Sequence, residues 1–362
     1  MRNKKLKVLI LLSIIMVFTF SIVACRTSDI DDTQDEVQEN QITVEEITGD
    51  ENAEDEIIVI IDHLGRNVEF EEPAETIVSG YYITTSMMIA LDLQDNVVGL
   101  EARPETRPIY SLAAPGFLEL PTVGSMKEFD LEGAAALEPD LIILSVRLKE
   151  AVETLEELGL KVIAVNPESM EELQESLTMI GKATGTEDRA QELIEYYDKK
   201  TMEIEEMVKN LEKESVYLAG NNSYLSTTSN KMYQHSLIET AGGNNVTGDI
   251  DDTYWVEISY EQLLDYNPDI IVAAPAAGYS KEDIVNDDSL QGLNAIENDK
   301  IYFMPSHLES WDSPVPSSIV GTMWLTSVLH EDTYPFDEFK EEAYDFYEEF
   351  YNIEIEMDEL TK

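Results

Sequence analysis

Short β-branched runs alternate with amphipathic stretches along most of this chain. The runs predict strands, and the stretches between them place apolar residues at helical spacing. Strands that alternate with helices are typical of α/β folds with mostly parallel sheets. The predicted strands are Ile57–Ile61, Thr76–Val78, Asn96–Leu100, Leu141–Ser145, Lys161–Val165, Ser215–Leu218, Ile270–Ala274 and Lys300–Met304, and predicted helices include Ser86–Leu93, Leu148–Leu158 and Ser169–Ala183.

One long helical pattern separates the strands into two series. It runs from Glu187 to Lys213 and contains no glycine or proline. A helix of this length between two α/β units would form a stiff connector. We therefore predict two Rossmann-like lobes with mostly parallel sheets, joined by one long connecting helix. The predicted N-terminal lobe covers residues 57–186, the connecting helix 187–213 and the C-terminal lobe 214–362.

The two strand series contain an internal repeat. Residues 131–143 (LEGAAALEPDLII) match residues 260–272 (YEQLLDYNPDIIV) in pattern. In each copy a glutamate opens a short helix, and eight residues later a Pro-Asp turn leads into a β-branched strand. Proline cannot continue the helix and favours an extended residue before it. Two similar lobes leave a cleft between them, where ligands preferentially bind.

The first residues predict export. Four basic residues precede a mostly apolar run from Val8 to Ala24, which is typical of a signal peptide covering residues 1–24. The run ends at Ile22-Val23-Ala24-Cys25, which resembles the lipobox of bacterial lipoproteins. Cys25 is the one cysteine of the chain, so no intramolecular disulfide forms. We predict lipidation at Cys25; the alternative is an ordinary signal peptide with an incidental cysteine.

The next segment is strongly acidic. Between Arg26 and Glu56 the chain has thirteen acidic residues, one basic residue and no aromatic residue. Such a composition predicts a disordered tether over residues 25–56, with an acidic partner-binding tail as the alternative. The whole chain carries a net charge of −52, which excludes nucleic acid as a partner. Charge of this size also favours a salt-loving or alkaliphilic source.

Catalytic signatures are missing from the sequence. It contains no Gly-x-Ser-x-Gly elbow, and its four histidines have no metal-ligand spacing. With 75 acidic residues, pairs of carboxylates arise by chance and carry no information about hydrolysis. We therefore predict a binding protein with no catalytic residues, no cofactor and no resident metal.

Several motifs together carry a resemblance to the class III solute-binding proteins of ABC importers, the group that includes iron–siderophore, haem and cobalamin binders. Their order and spacing are more specific than any one of them. The motifs are residues 62–66 (DHLGR), 73–79 (PAETIVS, with Thr76 in place of the usual basic residue), 96–100 (NVVGL), 121–124 (PTVG), 130–140 (DLEGAAALEPD) and 241–246 (AGGNNV).

The resemblance implies how the protein meets its membrane partner. In that family each lobe presents a glutamate to arginines of the permease, and the matching residues here are Glu132 and Glu261. A carboxylate in the first turn of a helix is favoured by the helix dipole and stays exposed. The alternative is that both are ordinary helix-start acids, the second within a capping box of Ser259 and Gln262.

Ligand contacts are expected on loops that follow the carboxyl ends of the strands. Arginines there would neutralise an anionic ligand, and aromatics would cover its flat parts. Trp255 also resembles an aromatic that contacts ligand in cobalamin-binding relatives. The alternative is that the arginines pair with local carboxylates and the aromatics pack in cores. The candidates are Tyr81, Tyr82, Arg103, Arg107, Arg147, Tyr224, Trp255, Tyr279, His307 and Trp311.

The sequence thus predicts a lipid-anchored, extracytoplasmic binding component of an ABC importer. We expect a monomer that captures a chelated iron compound, a ferric siderophore, and delivers it to a permease and its ATPase. Cobalamin or haem remains the alternative ligand. A surface structural or adhesion lipoprotein is the alternative of another class, and it would need neither the repeated units nor a cleft lined with arginine and tryptophan.

Overall fold

Two parallel sheets, one in each half of the chain, form the framework of the computed structural model. The structure describes residues 57–252 and 255–362. The predicted signal peptide, the lipidation at Cys25 and the tether at 25–56 lie outside the described residues. Within the described part, no helix is long and apolar enough to cross a membrane.

The first half contains an antiparallel hairpin and a four-stranded parallel sheet with the order β4-β3-β5-β6. Its elements are β1 (Ile58–Ile61), β2 (Asn67–Phe70), β3 (Ile77–Ser79), α1 (Tyr82–Ala90), β4 (Val97–Leu100), α2 (Pro108–Ala113), α3 (Leu131–Ala136), β5 (Leu141–Ser145), α4 (Lys149–Glu157), β6 (Val162–Val165) and α5 (Met170–Thr184).

After α6 (Glu187–Val208), the second half builds a sheet on the parallel strands β7, β11 and β12. Strand β9 pairs with β7 in parallel, β8 pairs with β7 antiparallel and β10 pairs with β8 antiparallel. The elements are β7 (Ser215–Ala219), β8 (Ser226–Thr227), α7 (Tyr233–Thr240), β9 (Asn244–Asn245), β10 (Val256–Glu257), α8 (Tyr260–Tyr266), β11 (Ile270–Ala273), α9 (Lys281–Val285), α10 (Asn294–Glu297), β12 (Ile301–Phe303), α11 (Ser318–Leu329) and α12 (Phe336–Tyr351).

The α/β architecture with two lobes is confirmed, and each of the eight predicted strands is present within a residue or two of its expected bounds. We call the part before α6 the N-lobe and the part after it the C-lobe, as a proposed division. The connecting helix is shorter than expected, because it ends at Val208 instead of Lys213. A hydrogen bond from Leu211 N–H to the Val208 carbonyl forms a turn at the end of the helix. Asn210, a poor helix former, lies within this turn.

The internal repeat appears as the same three hydrogen bonds in each lobe, formed between an aspartate and a residue with a hydroxyl group. In the N-lobe the Asp140 carboxylate accepts from Thr76 N–H (2.8 Å) and its hydroxyl (2.7 Å), and that hydroxyl accepts from Asp140 N–H (2.9 Å). In the C-lobe Asp269 and Ser215 form the same pair, with distances of 3.1, 2.7 and 2.8 Å. These hydrogen bonds lower the pKa of both aspartates. Each Pro-Asp turn therefore ties the strand that follows it, β5 or β11, to the start of the neighbouring strand, β3 or β7.

The backbone of the repeat is also the same in both lobes. The residue before each proline adopts a positive φ, 49° at Glu138 and 38° at Asn267. Non-glycine residues adopt this conformation rarely. Because this conformation recurs at matching positions, the chain continues from the two short helices, α3 and α8, through the same kind of turn.

The N-terminal hairpin is held to the N-lobe sheet by a buried carboxylate. Asp62 accepts a hydrogen bond from Ala164 N–H of β6 (3.0 Å) and forms an ion pair with Arg66. The Arg66 guanidinium also donates to the Val162 carbonyl (2.9 Å). The DHLGR motif, residues 62–66, therefore closes the hairpin turn and docks it with one ion pair.

One apolar core runs through both lobes. It includes Ile77 and Ile143 of the first sheet, Tyr197 of α6, and Leu218 and Val272 of the second sheet. The C-terminal helix α12 adds to this core, since it packs against α1 of the N-lobe and against α11, which in turn packs on α6. Burial shared across the two lobes limits how far one can move against the other.

We expect the two hydroxyls of the repeat to contribute equally to stability. Thr76→Val and Ser215→Ala each remove one acceptor of an aspartate N–H and one donor to the same aspartate's carboxylate, which costs about 0.5–1.5 kcal/mol of unfolding free energy. Urea denaturation of both variants measures this. Thr178→Val is the matched control, because the Thr178 hydroxyl bonds within its own exposed helix turn. A loss confined to one lobe would contradict the equivalence.

Candidate ligand-binding cleft

A cavity of about 360 Å³ lies between the lobes, and we call it the inter-lobe chamber. Loops that follow the carboxyl ends of β3, β4, β7, β11 and β12 form its walls, which is where ligands bind in open α/β sheets. Its N-lobe wall consists of Tyr82 and residues 106–110, and its C-lobe wall of Asn221, Pro275, Ala276, Ser306, Leu308, Glu309, Ser310 and Val315.

A second cavity of about 280 Å³ adjoins the first within the N-lobe, and we call it the N-lobe chamber. The two chambers share Tyr82 and Arg107 in their walls. The remaining lining residues of the N-lobe chamber are Gly80, Tyr81, Glu101, Ala102, Arg103, Ser125, Met126 and Lys127.

Two larger grooves on the N-lobe are less suited to a ligand. One, of about 580 Å³, lies at the amino ends of β3 and β5 and is rimmed by acids such as Glu71, Glu72 and Glu75. The other, of about 670 Å³, lies beside the hairpin and the helices α5 and α6. Neither takes residues from both lobes. We therefore assign the candidate site to the two adjoining chambers.

Three cations line the N-lobe chamber: Arg103, Arg107 and Lys127. Within the described residues none of them forms an ion pair with a carboxylate, whereas Arg147 is paired with Glu168 at 2.6 Å. The chain as a whole has 23 basic and 75 acidic residues, so three cations without an acidic partner in one chamber are exceptional for it. The positive charges of these side chains are therefore available to pair with an anionic ligand.

Aromatic packing orients Arg107. Its guanidinium lies 4.1 Å from the centroid of the Tyr82 ring, and Tyr81 meets Tyr82 edge to face at 5.4 Å. Stacking covers one face of the planar guanidinium but leaves its in-plane N–H donors available. Arg103 is set by its backbone, which adopts a positive φ of 63° just before Pro104. Non-glycine residues in this conformation cluster at functional sites.

A buried carboxyl group lies at the base of each chamber. Glu101 of the N-lobe chamber accepts hydrogen bonds from the Thr85 hydroxyl (2.6 Å) and the Tyr110 hydroxyl (2.7 Å). Glu309 of the inter-lobe chamber accepts from the hydroxyls of Tyr351 (2.7 Å), Ser86 and Ser317. Burial raises the pKa of both carboxyl groups, and the positive charge of Arg107 opposes that rise in each case.

The Glu309 network also crosses between the lobes. Ser86 belongs to α1 of the N-lobe, whereas Ser317 precedes α11 and Tyr351 ends α12. One carboxyl group thereby joins three helices at the base of the cleft. Sequence reasoning missed Glu101 and Glu309, because nothing distinguishes two acids among 75 until their burial is known.

The C-lobe aromatics predicted from sequence stand near the cleft without lining either chamber. The Tyr224 hydroxyl donates to Asp287 (2.7 Å), and the Tyr279 hydroxyl donates to the Gly220 carbonyl (2.8 Å). The two rings meet edge to face at 5.4 Å. Trp255, 37 % exposed, packs so closely on Gly220 that an added Cβ there would lie 3.1 Å from its ring.

His307 and Trp311 belong to the expected loop but line neither chamber. Ser306 and Leu308 line the inter-lobe chamber, whereas His307 between them does not. Burial lowers the pKa of the His307 imidazole, and Glu359 opposes this shift. Trp311 is fully buried and donates to the Tyr347 hydroxyl (2.8 Å). The structure thus brings Tyr81, Tyr82, Arg103 and Arg107 together, adds Lys127, and leaves the other predicted residues off the chamber walls.

The two glutamates of the repeat are exposed on the surface of their lobes. Glu132 stands in the first turn of α3, behind an N-cap in which Asp130 accepts from Gly133 N–H (2.9 Å). Glu261 stands in the first turn of α8, where Ser259 and Gln262 form a capping box. Neither glutamate has an ion-pair partner among the residues that the structure describes. The capping box of the alternative interpretation is present, but it leaves Glu261 itself free.

Comparison with known proteins identifies the class to which this fold and cleft belong. The family model described as periplasmic binding protein matches residues 77–308. The chain therefore belongs to the periplasmic binding protein family, and it is a substrate-binding component of ABC importers, on the extracytoplasmic side and without catalytic activity. The resemblance stated from the motifs is confirmed.

Individual relatives are distant and bind different ligands. The molybdate-binding protein MolA of Haemophilus influenzae is 22 % identical over 84 % of this chain and 93 % of its own length. The substrate-binding lipoprotein YvrC of Bacillus subtilis is 25 % identical over 76 % of this chain and 87 % of its own. The petrobactin-binding protein YclQ of the same organism is 25 % identical over 60 % of this chain and 70 % of its own.

Solved structures support the same fold. A periplasmic solute-binding protein from Veillonella parvula superposes with a TM-score of 0.73 at 22 % identity, covering 84 % of this chain and 95 % of that one. MolA bound to molybdate superposes with a TM-score of 0.73 at 18 % identity, covering 82 % and 99 %. At these identities the likeness concerns the fold, and the ligand has to be argued from the cleft.

Proposed function

We propose that this protein captures an anionic ferric chelate, a siderophore complex, in its cleft and delivers it to the permease of an ABC importer. The observation that carries the proposal is the trio Arg103, Arg107 and Lys127, which lines one chamber and forms no ion pair within the described residues, in a chain of net charge −52. An anion that bridges these side chains would offset the surplus of positive charge that remains beside Glu101, the acid in the lining of the same chamber. Arginine favours such ligands because its fork of donors binds planar oxyanion groups bidentately.

The size and lining of the chambers favour a chelate over haem or cobalamin. Cavities of about 280 and 360 Å³ lie at the lower end of the usual range for small-molecule sites. Cobalamin is a much larger, rigid macrocycle, whereas haem is close to a ferric siderophore in size and is disfavoured by the lining instead. No histidine lines either chamber.

A compact oxyanion such as molybdate is the second candidate. Its support is the similarity to MolA along 84 % of the chain, together with a cationic chamber of only about 280 Å³. The two candidates share the anionic charge, so both would contact the same cations. They differ in whether the inter-lobe chamber is needed.

Titration of the exported chain without its signal peptide distinguishes the ligands. We expect a negatively charged ferric tris-catecholate to bind, and a neutral ferric hydroxamate, haem and cobalamin to bind at least tenfold more weakly. Arg103→Ala, Arg107→Ala and Lys127→Ala should each weaken binding about 10–100-fold, through loss of a charge-assisted hydrogen bond. Tryptophan fluorescence and calorimetry measure these affinities.

Arg147→Ala is the matched control for that series. Its charge is already paired with Glu168, so the variant should bind within about twofold of the original protein. Failure of every anion to bind, or an equal loss in all four arginine and lysine variants, would contradict the proposed site. Tight binding of molybdate with no binding of the chelate would favour the second candidate.

We propose further that Glu132 and Glu261 dock the two lobes onto arginines of the permease. They are exposed, they occupy matching positions of the repeated unit, and they have no partner of their own among the described residues. Arginine–carboxylate pairs at a protein interface set its register and orientation.

The double variant Glu132→Arg/Glu261→Arg should abolish ligand uptake by cells and leave ligand affinity unchanged, because neither side chain lines a chamber. Radiolabelled or ⁵⁵Fe uptake and in vitro titration measure the two effects. The control Glu150→Arg/Glu282→Arg also reverses two exposed first-turn acids, on α4 and α9. Uptake that survives in the first variant, or fails in the control, would contradict the docking role.

We also propose that the protein is a monomer held at the membrane by a lipid on Cys25. The support is the lipobox-like Ile22-Val23-Ala24-Cys25 and the naming of the relative YvrC as a lipoprotein. Cys25→Ala should release the protein from the membrane fraction into the medium, because the only acylated residue is lost. Fractionation and metabolic labelling with palmitate measure this. Release without any change in labelling would contradict the assignment.

A further inference from the structure

We propose that the cleft binds its ligand in two chemically distinct parts. The N-lobe chamber holds the anionic end, the inter-lobe chamber holds a neutral and partly apolar end, and the stacked pair Tyr82–Arg107 contacts both. The ligand is therefore an elongated chelate with an uncharged scaffold, rather than a compact anion. This inference rests on the proposed function, and it specifies the class of ligand that fits.

The two chambers differ in charge. The N-lobe chamber is lined by three cations, Arg103, Arg107 and Lys127, against one acid, Glu101. The inter-lobe chamber is lined by one cation, Arg107, against one acid, Glu309. Full ionisation would leave a surplus of two positive charges in the first chamber and none in the second. An anionic group therefore gains more in the N-lobe chamber.

Glu309 reinforces this difference. Its two oxygens accept from three hydroxyl groups, those of Ser86, Ser317 and Tyr351, so the buried carboxyl group is held in place. Burial already raises the pKa of Glu309, so a second anion beside it would either be repelled by the carboxylate or keep the carboxyl group protonated, and both cost binding free energy. The chamber thereby selects against anionic groups.

The inter-lobe chamber instead offers apolar surface with a few neutral polar groups. Apolar side chains from both lobes contribute, among them Ile109 of the N-lobe and Leu308 of the C-lobe. Asn221, Ser306 and Ser310 supply an amide and two hydroxyls. A neutral amide or ester scaffold finds hydrogen-bond partners and apolar contacts in this environment.

The shared wall explains how one ligand spans both chambers. Arg107 lines each of them, and its face is covered by the Tyr82 ring at 4.1 Å. Its donors remain free in the plane of the guanidinium, and they can bind an anionic oxygen at the junction. A compact oxyanion would use the N-lobe chamber of about 280 Å³ and leave the other one empty.

Variants that fill the inter-lobe chamber test the inference. Asn221 and Ser306 are exposed residues of its wall, so Asn221→Trp and Ser306→Trp obstruct the chamber without disturbing the core. Asn222→Trp is the matched control, because Asn222 is exposed and adjacent but lines neither chamber. The probes are a ferric tris-catecholate on an amide scaffold and the ferric complex of free catechol, which carries the charge without the scaffold.

We expect both obstructing variants to weaken the scaffolded chelate at least tenfold and the ferric complex of free catechol by less than twofold. Lys127→Ala should weaken both probes, and Asn222→Trp neither. Thermal unfolding of each variant establishes that it folds, and Ser306→Leu repeats the obstruction with a smaller side chain if a tryptophan variant does not fold.

The outcomes separate this inference from the proposed function. Equal weakening of both probes in the obstructing variants, or no weakening of either, overturns the two-part ligand while the cationic site stands. Absence of binding of both probes to the unaltered protein overturns the proposed function itself.

Discussion

The geometry of the cleft depends on the apolar core that the two lobes share. Side chains from both sheets pack with α6 into one cluster, and α12 crosses back to pack on α1. Because separating the lobes would expose part of this core to water, the separation between the two walls of the cleft stays nearly constant. A ligand therefore meets chambers that are already formed, and little of its binding energy is spent on closing the protein.

Much of the fold could be predicted from the sequence, for an identifiable reason. Buried parallel strands such as Leu141–Ser145 and Ile270–Ala273 are continuous β-branched or apolar runs, so they are visible without knowledge of their neighbours. Strands β8, β9 and β10 have two residues each and show no periodicity. Their existence depends on pairing with β7 or with each other, which the local sequence does not encode.

The candidate site was predictable only in part. Arg103 and Arg107 stood out because cations are rare in this chain, and Tyr82 because it follows a central strand. Lys127 was missed, since its loop follows no predicted strand. The sequence identified the loop that contains His307 and Trp311, but it did not reveal which side chains face the cleft. The direction of a side chain within a loop is set by packing, and in this loop Ser306 and Leu308 line the inter-lobe chamber.

The acidity of the chain has a consequence for the speed of capture. An anionic chelate that approaches a molecule of net charge −52 is repelled by the surface, although the N-lobe chamber that binds it is positive. Salt at molar concentration shortens the range of that repulsion to about 3 Å, less than the depth of a ligand pocket. Repulsion from the distant surface then disappears, and the attraction of the arginines beside the ligand remains. Association should therefore become faster as salt rises, the reverse of ordinary electrostatic steering.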